Sequence, residues 1–317
     1  MLLRLGAYVS QHSNSDIFGR LARILFRMAS EDSRNWGRVR RVVDHLQSID
    51  PLRGSGEGNL PAISLLVPST AKDFWKVNFV LQGARQASRN PIAEVTVVVP
   101  QRDLEEAHSY SWEAVVVAEE NYLDPSVLLA TDRYSEIGRR GWVIQQVIKL
   151  YGSWRSTAAG VLVIDSDTIL LGRRTWLTQW GTQILSFSHE YHSSYETHAA
   201  KVWGARKRHH DLSYVTHHIL MQPELVRQMF PRIESLVNWL DLGELSEHSA
   251  VSEYHSYGRW VADNVPHRYR IARWKNESVL IEEGEYSSPE ILLSALRKLH
   301  PSLLSVSSHS YLENDPR

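Results

Sequence analysis

Two carboxylates separated by a single residue follow the most apolar run of the chain. The run is Val-Leu-Val-Ile, and the carboxylates are Asp165 and Asp167. In an open α/β sheet, ligands bind at the carboxyl ends of the strands, and carboxylate oxygens are the ligands that Mg²⁺ and Mn²⁺ prefer. Such an ion neutralises the charge of a departing diphosphate. The pattern therefore predicts a metal site, although the same two residues could instead cap the turn after the strand.

Polar side chains also stand at the starts of two predicted helices. Lys72 and Asp73 precede the first of these helices and could bind a ligand or simply cap the helix. Arg139 and Arg140 precede the second, where their forked donors could pair with diphosphate oxygens or remain in solvent. Both pairs are therefore candidates for an anion site.

Two pairs of identical neighbours are further candidates. Gln145 and Gln146 interrupt an otherwise apolar helix, and a buried glutamine must be hydrogen-bonded. One of them is therefore predicted to reach the sheet or a ligand. His217 and His218 follow a predicted strand. Adjacent residues on a strand point to opposite faces, so at most one of these histidines is expected to face a site.

Continuous apolar runs separated by amphipathic helices indicate an α/β fold. Runs that do not alternate are typical of parallel strands covered on both faces, so we expect a mostly parallel, Rossmann-like sheet flanked by helices. Strands are predicted at residues 63–67, 94–100, 114–118 and 160–164, and helices at 74–87, 142–151, 252–261 and 290–300. Pro223 and Pro231 are each expected in the first turn of a further helix.

The chain divides into three predicted regions. Residues 1–60 carry two helices, of which 16–28 is amphipathic with a basic face and could pack on the main domain or meet anionic lipid. A glycine-rich junction leads to the main domain at 61–275. Residues 276–317 add a final helix and, from Ser308, a loose tail.

Composition excludes several classes of protein. The chain has 317 residues, a formal net charge of −1 and no cysteine, so disulfides, iron–sulfur clusters and thiolate nucleophiles are excluded. The balanced charge does not indicate a nucleic-acid binder. No apolar stretch reaches the ~18–20 residues that a membrane-spanning helix needs. The expected location is the cytoplasm, with peripheral contact at the inner face of the membrane as an alternative.

Four sequence blocks together resemble a known class of enzyme. They are GWVIQQVIKL from Gly141, VIDSDT from Val163, YVTHHILM from Tyr214 and SEYHSYG from Ser252. Together with the strand that opens at Ile63, they resemble GT-A-type nucleotide-sugar glycosyltransferases, and more narrowly a poorly characterised bacterial glycosyltransferase-like family. The resemblance runs from about residue 62 to 275. It implies a GT-A-like fold with helical N- and C-terminal additions.

The resemblance also implies roles for the matching residues. Those that would hold the nucleotide sugar are Pro68, Ser69, Thr70, Lys72, Asp73, Arg140, Gln146, Asp165 and Ser166. Mn²⁺ or Mg²⁺ would bind Asp165 and Asp167, with a late histidine completing the coordination. Glu253 would take the proton from the acceptor hydroxyl, and His217 and His218 are further catalytic candidates.

The implied function is a metal-dependent glycosyltransferase acting on a glycan or lipid-linked glycan acceptor in bacterial surface polysaccharide synthesis. Residues 189–192 (HEYH) would form an aromatic loop that contacts the acceptor or folds over the core; their spacing does not match the zinc-protease motif. Two alternatives stay open. One is a haloacid-dehalogenase-like phosphohydrolase, which also places Asp-x-Asp after an apolar strand. The other is a non-catalytic binding protein with the same fold.

Overall fold

The computed structural model describes residue 52 and residues 58–188, 190–204, 213–245 and 251–309. Within these ranges the chain is an α/β protein whose mainly parallel central sheet is flanked by helices, as the apolar runs predict.

Strands and helices alternate through the first half of the described chain. The strands are β1 Ile63–Pro68, β2 Ile92–Val99, β3 Val115–Ala118, β4 Val161–Ile164, β5 Thr168–Leu170, β6 Gln183–Phe187, β7 His218–Met221, β8 Tyr269–Arg273, β9 Asn276–Ser278 and β10 Ser305–Ser307. The helices are α1 Phe74–Ala87, α2 Leu104–Ser109, α3 Glu119–Tyr122, α4 Pro125–Ala130, α5 Arg140–Arg155, α6 Ser193–Trp203, α7 Pro223–Met229, α8 Ile233–Asp241, α9 Glu253–Asn264 and α10 Pro289–Leu299.

The central sheet of the described chain has five strands in the order β3-β2-β1-β4-β7. The first four run parallel, whereas β7 pairs antiparallel with β4 at one side of the sheet. The parallel strands therefore end together, at what we call the carboxyl edge. There β1 passes into Ser69 and β4 into Asp165. Because β1 and β4 are paired neighbours, the loops that follow them lie side by side.

Apolar side chains cover both faces of this sheet, which explains the continuous apolar runs. Alternate residues of β4 point to opposite faces, so Val163 packs towards α5 and Leu162 towards α1 and α10. Fully burying such a side chain contributes about 1.5–3 kcal/mol. Further buried residues on the two faces are Val143, Val147, Val77, Leu81 and Leu292.

Two smaller sheets add to the core. β6 pairs in parallel with β8, and β10 lies between β5 and β9. α10 packs against α1 and buries Leu292 and Leu293, so the described part of the predicted C-terminal addition belongs to the main core. The prediction of a loose tail is wrong for Ser308 and His309, which form hydrogen bonds with the body of the protein. Residues 310–317 lie outside the described residues.

Most predicted elements are confirmed. α1 spans the predicted residues 74–87, and Ser252 and Ser288 cap α9 and α10, each accepting a backbone N–H from the first turn. Pro223 begins α7 as expected, but Pro231 lies two residues before α8 begins. The histidine pair stands at the start of a strand instead of after one: His217 directly precedes β7, and His218 is its first residue.

The region before β1 is described only in part. Residues 1–51 and 53–57 lie outside the described residues, and with them the two helices predicted there. Leu52 is buried against Ile184 and Ala272 of β6 and β8. Within the described ranges, no helix combines the length and apolar character needed to span a membrane.

A buried histidine joins α6 to α8. His198 Nε2 lies 2.8 Å from the carbonyl oxygen of Trp239, and its ring centroid lies 5.3 Å from that of the indole. Because a carbonyl oxygen only accepts, Nε2 must carry the hydrogen. Burial lowers the pKa of His198 to about 4. The folded protein therefore keeps this imidazole neutral at pH values where an unfolded histidine is charged.

We expect His198 to make the folded state less stable in acid. An unfolded histidine binds a proton near pH 6.5, whereas the folded one resists until about pH 4. Stability is therefore lost as the pH falls between these values, by about 3 kcal/mol in total. In His198→Gln, whose amide can donate to Trp239 but does not titrate, this part of the pH dependence should vanish in urea unfolding from pH 4 to 7.5. The control is His108→Gln, because His108 is exposed on α2. If the free energy of unfolding of His198→Gln changed with pH as it does in the unchanged protein, the assignment would be contradicted.

Candidate functional site

Asp165 lies at the centre of a hydrogen-bond network at the carboxyl edge. Lys149 Nζ of α5 and the Tyr254 hydroxyl of α9 both donate to its Oδ1, the latter at 2.8 Å. His217 Nδ1 lies 2.9 Å from its Oδ2. The Asp165 backbone N–H also donates to the carbonyl oxygen of His217 at 2.9 Å. Both carboxylate oxygens are therefore held by side chains from other parts of the fold.

Lys149 is a buried cation between two carboxylates. Besides its bond to Asp165, its Nζ donates to Glu253 Oε1 at 2.7 Å and lies 4.3 Å from the centre of the Tyr254 ring. Burial alone would lower the pKa of Lys149, but the two carboxylates raise it above its ordinary value. Burial would raise the pKa of Asp165, but Lys149 and His217 hold it below its usual range. The fold thus places a fixed positive charge behind Asp165.

Asp167 meets the C-terminal end of the described chain. Its Oδ2 lies 2.9 Å from His309 Nδ1, and its Oδ1 accepts a hydrogen bond from Thr168 Oγ1 at 3.3 Å. The backbone N–H of Ser308 donates to the Asp167 carbonyl oxygen at 2.8 Å. This meeting follows from the pairing of β10 with β5, the strand that begins directly after the Asp-Ser-Asp turn.

His217 has a left-handed backbone, with φ 55°. Such a conformation costs a residue other than glycine about 1–3 kcal/mol. The ring nevertheless bridges two carboxylates, with Nδ1 on Asp165 and Nε2 3.4 Å from Glu190 Oε2, and its centroid lies 5.0 Å from that of Trp274. Burial opposes protonation, but these two carboxylates raise the pKa of His217 to about 10. The strained residue is thus fixed by its contacts with the site.

The side chains at this edge fit a divalent cation. Asp165, Asp167 and His217 each offer a ligand atom, and these atoms all lie within 4.8 Å of one another. The three side chains are between 19% and 25% exposed, so an ion from solvent can reach them. Carboxylate oxygens are ligands that Mn²⁺ and Mg²⁺ accept, and His217 would join them only in its neutral form, so binding of the ion would displace its proton. His309, bound to Asp167, borders the same space.

The loop after β1 brings predicted nucleotide-binding residues to the carboxyl edge. Pro68 and Ser69 are buried, Thr70 is half-buried, and the Lys72 side chain is 61% exposed. Ser69 Oγ is buried and lacks a hydrogen-bond partner within the described part of the chain. The loop therefore offers one enclosed hydroxyl and one exposed cation beside the Asp-Ser-Asp turn.

Asp73 is placed differently from the prediction. Its buried carboxylate pairs with Lys76 Nζ at 3.1 Å and accepts a hydrogen bond from Ser166 Oγ at 3.4 Å. It is therefore committed to an internal ion pair instead of being open to a base or ribose. Ser166, predicted to contact the nucleotide sugar, links the Asp-Ser-Asp turn to the loop after β1.

The two predicted residues of α5 differ in their relation to Asp165. Arg140 begins the helix and donates to Asp132 Oδ1 at 2.7 Å. It lies nine residues before Lys149, or roughly 13 Å along the helix axis. The structure pairs Arg140 with Asp132, and its pairing with diphosphate oxygens stays a prediction. Gln146 is buried one turn before Lys149 on the same face of α5, so it lies nearer to the site.

Two predicted catalytic residues are enclosed. Glu253 is 0% exposed and bonded to Lys149, so its carboxylate is not placed to contact an acceptor hydroxyl. Burial raises its pKa above the ordinary value. His218 is buried against Trp176, with ring centroids 5.5 Å apart, and burial lowers its pKa to about 3. Of the histidine pair, His217 faces the site and His218 faces the core, so one of the two faces a site as predicted. The reason differs from the predicted one, because only His218 lies on a strand and His217 precedes it with a left-handed backbone.

Several residues of the network were not assigned these roles from the sequence. Lys149 and Tyr254 were noted only within the matching blocks, Glu190 only within the loop 189–192, and His309 only through the expectation of an unnamed late histidine. A lysine within an apolar helix was a usable signal, because a buried ammonium needs a charged partner. The other three carry no local signal for these contacts, since Tyr254 and His309 meet the aspartates, and Glu190 meets His217, only through the fold. His189, the neighbour of Glu190, lies outside the described residues.

Comparisons with known proteins place the chain in a family without assigning it an activity. No curated protein matches the sequence significantly. Among solved structures, mouse xyloside xylosyltransferase 1 in its apo form is similar, with a TM-score of 0.39 and 10% identity; the match covers 79% of this chain and 98% of that chain. Residues 62–283 match the model of a family described as a family of unknown function (DUF6492). Because this match spans more than half of the sequence, the chain belongs to that family.

Proposed function

We propose that this protein is a metal-dependent glycosyltransferase that moves a sugar from a nucleotide-sugar donor to a hydroxyl of a glycan acceptor. The observation that carries the proposal is the convergence of Asp165, Asp167, His217 and His309 at the carboxyl edge of an α/β sheet. Open α/β sheets bind their ligands at this edge. Two carboxylates with an imidazole there can hold the divalent cation that a diphosphate leaving group needs.

The aspartate pair would hold Mn²⁺ or Mg²⁺, with His217 or His309 as the imidazole ligand. Such an ion neutralises the negative charge that develops on a departing nucleoside diphosphate. The contribution of the chain itself is to keep Asp165 in position through Lys149 and Tyr254. A carboxylate that is already held needs no reorganisation when charge develops in the reaction.

The loop after β1 would bind the nucleoside. The buried Ser69 hydroxyl lacks a partner within the described structure, and leaving such a group unsatisfied costs about 1–3 kcal/mol. A hydrogen bond from a bound nucleotide would recover part of that cost. Lys72 is exposed on the same loop and can meet a phosphate.

Glu190 is a better placed acceptor base than Glu253. Its side chain is 42% exposed and lies 3.4 Å from His217, beside the proposed cation site. A general base must come within hydrogen-bond reach of the proton that it takes. An exposed carboxylate can do so with an acceptor that enters from solvent. This role applies to a transfer that inverts the anomeric centre.

Thermal unfolding against nucleotides tests the proposal. The panel contains the diphosphates and sugar diphosphates of uridine, guanosine, cytidine, adenosine and thymidine, each with Mn²⁺, Mg²⁺ or EDTA. A ligand present at ~100 times its dissociation constant stabilises the folded state by ~2.7 kcal/mol, which raises Tm by a few degrees. We expect one nucleoside class to do this, and only when the metal is present.

The site variant in this test is Asp167→Asn, and its control is Asp124→Asn, because Asp124 is a half-buried helix cap outside the site and asparagine caps as well. The control should keep the full metal-dependent shift. A folded protein that binds Mn²⁺ but responds to no nucleotide would contradict the proposal and favour the phosphohydrolase. Binding of a nucleotide sugar without any turnover would favour the non-catalytic alternative. The glycan acceptor, in bacterial surface polysaccharide synthesis, is proposed from the sequence resemblance.

A further inference from the structure

Lys76 is a second buried lysine near the Asp-Ser-Asp turn. It lies in the first turn of α1, and its side chain is 3% exposed. Its Nζ donates to Asp73 Oδ1 at 3.1 Å and to the carbonyl oxygen of Ser308 at 2.9 Å. Asp73 is three residues from Lys76 in the chain, whereas Ser308 is 232 residues from it. Lys76 therefore ties the loop after β1 to the C-terminal end of the described chain.

The position of Lys76 is unfavourable for a cation taken alone. The N-terminus of a helix carries a partial positive charge, which disfavours a lysine there. Burial adds a desolvation cost, and that cost is offset only by well-placed partners. The anionic partner is Asp73, and the Ser308 carbonyl oxygen supplies a further acceptor. An apolar side chain would fill this place without the desolvation cost, so packing alone does not call for a lysine.

Ser308 connects this ion pair to the cation site. Its backbone N–H donates to the Asp167 carbonyl oxygen at 2.8 Å, while its own carbonyl oxygen accepts from Lys76. The next residue, His309, reaches Asp167 Oδ2 at 2.9 Å. The residue before Ser308 is also tied to the Asp-Ser-Asp turn, because Ser307 Oγ lies 2.9 Å from Thr168 Oγ1. We call residues 305–309 the C-terminal strap. Lys76 holds this strap at the residue directly before its histidine.

We propose that Lys76 is a positioning residue for the cation site, holding the C-terminal strap so that the imidazole of His309 stays against Asp167. The proposal rests on the proposed function, because it needs a cation at that site. Lys76 touches neither the ion nor a substrate, and acts only through Ser308 and His309. Residues that orient metal ligands in this way typically change metal affinity by roughly 10–100-fold when they are replaced.

The test is a Mn²⁺ titration of the full chain, in which the EPR signal of the free ion gives the affinity. Lys76→Met should weaken Mn²⁺ binding by roughly 10-fold or more. Lys76→Arg keeps a donor that can reach Ser308 and should recover most of the loss. His309→Ala should weaken binding by at least as much as Lys76→Met. The matched control is Arg85→Met, which removes a cation from the other end of the same helix, where it contacts Glu113.

Lys76→Met leaves the Asp73 carboxylate buried without its cation and could lower stability. The double variant Asp73→Asn with Lys76→Met removes both charges, so it keeps the test valid if the single variant does not fold. We expect it to fold and to bind Mn²⁺ as weakly as Lys76→Met. The inference is overturned if this double variant binds Mn²⁺ with the affinity of the unchanged protein, whereas His309→Ala binds it more weakly. If the unchanged protein itself binds no Mn²⁺, the proposed function fails first.

Discussion

Replacing Lys149 with methionine should lower the free energy of unfolding by about 3–5 kcal/mol. Methionine fills a similar volume, so the expected loss comes from charge and not from a cavity. Lys149 Nζ is bonded to both Glu253 and Asp165, and Glu253 is completely enclosed. Without the ammonium group, the Glu253 carboxylate must stay charged in an apolar surrounding or take up a proton, and either outcome is costly.

A double-mutant cycle separates this charge effect from general packing. Glu253→Gln keeps an oxygen that can accept from Lys149, so it should cost less than Lys149→Met. Combining the two replacements removes both charges of that pair, and the double variant should be more stable than Lys149→Met alone. Asp165 would still be held by Tyr254 and His217.

Urea unfolding at neutral pH gives the free energy of unfolding of each of these variants. Lys201→Met is the matched control, because Lys201 bonds to Glu244 at 2.7 Å in a comparable geometry but at the surface. Exposed pairs of that kind contribute about 1 kcal/mol or less. If Lys149→Met cost no more than Lys201→Met, Lys149 would not be the buried counter-charge that the structure shows.

The helices and strands could be predicted from the sequence because each is determined by the pattern of residues within its own segment. A helix such as α1 repeats apolar residues at three- and four-residue spacing, and a covered strand such as β4 is apolar throughout. Boundaries marked by capping residues, such as Ser288 before α10, were equally accessible. The region after residue 276 was separated from the core because nothing in its local pattern tells that β10 inserts between β5 and β9.

Local patterns predicted the two aspartates and the histidine pair, but not that these groups meet. Asp165 and Asp167 were found because both follow one strand. Lys149 lies 16 residues and Tyr254 lies 89 residues from Asp165, and His309 lies 142 residues from Asp167. Tertiary packing alone brings these partners together. The enclosure of Glu253 could not be predicted for a related reason. A carboxylate at a helix start is usually exposed, and its enclosure here depends on a lysine from a different helix.

Replacing Asp167 with asparagine should abolish most of the proposed activity while leaving the fold intact. A bound cation typically contributes several kcal/mol of charge stabilisation in the transition state, which corresponds to roughly 10²–10³-fold in rate. Asparagine has the shape of aspartate but carries no charge, so it holds a divalent cation more weakly than aspartate does. Asp167 is partly exposed, and its side chain contacts Thr168 and His309 at the mouth of the site. Tm should therefore change little.

The measurement is Mn²⁺-dependent release of nucleoside diphosphate from the nucleotide sugar selected by thermal unfolding, with water as the acceptor. Asp124→Asn is the matched control and should retain the full rate, because Asp124 caps α4 and none of its recorded contacts is with the aspartate pair. Mn²⁺ affinity measured on the same variants shows whether the lost rate of Asp167→Asn comes with lost metal. A metal-dependent rate unchanged in Asp167→Asn would remove the aspartate pair from the mechanism.

Glu190→Gln completes this experiment, because it separates metal binding from proton removal. Glu190 contacts His217 but is not one of the three residues whose ligand atoms converge. Its replacement should leave Mn²⁺ affinity close to that of the unchanged protein. Once a glycan acceptor is available, kcat for transfer should fall by roughly 10²–10⁴-fold, the usual contribution of a general base. Loss of Mn²⁺ affinity in Glu190→Gln would instead make Glu190 part of the cation site, and an unchanged kcat would exclude it as the base.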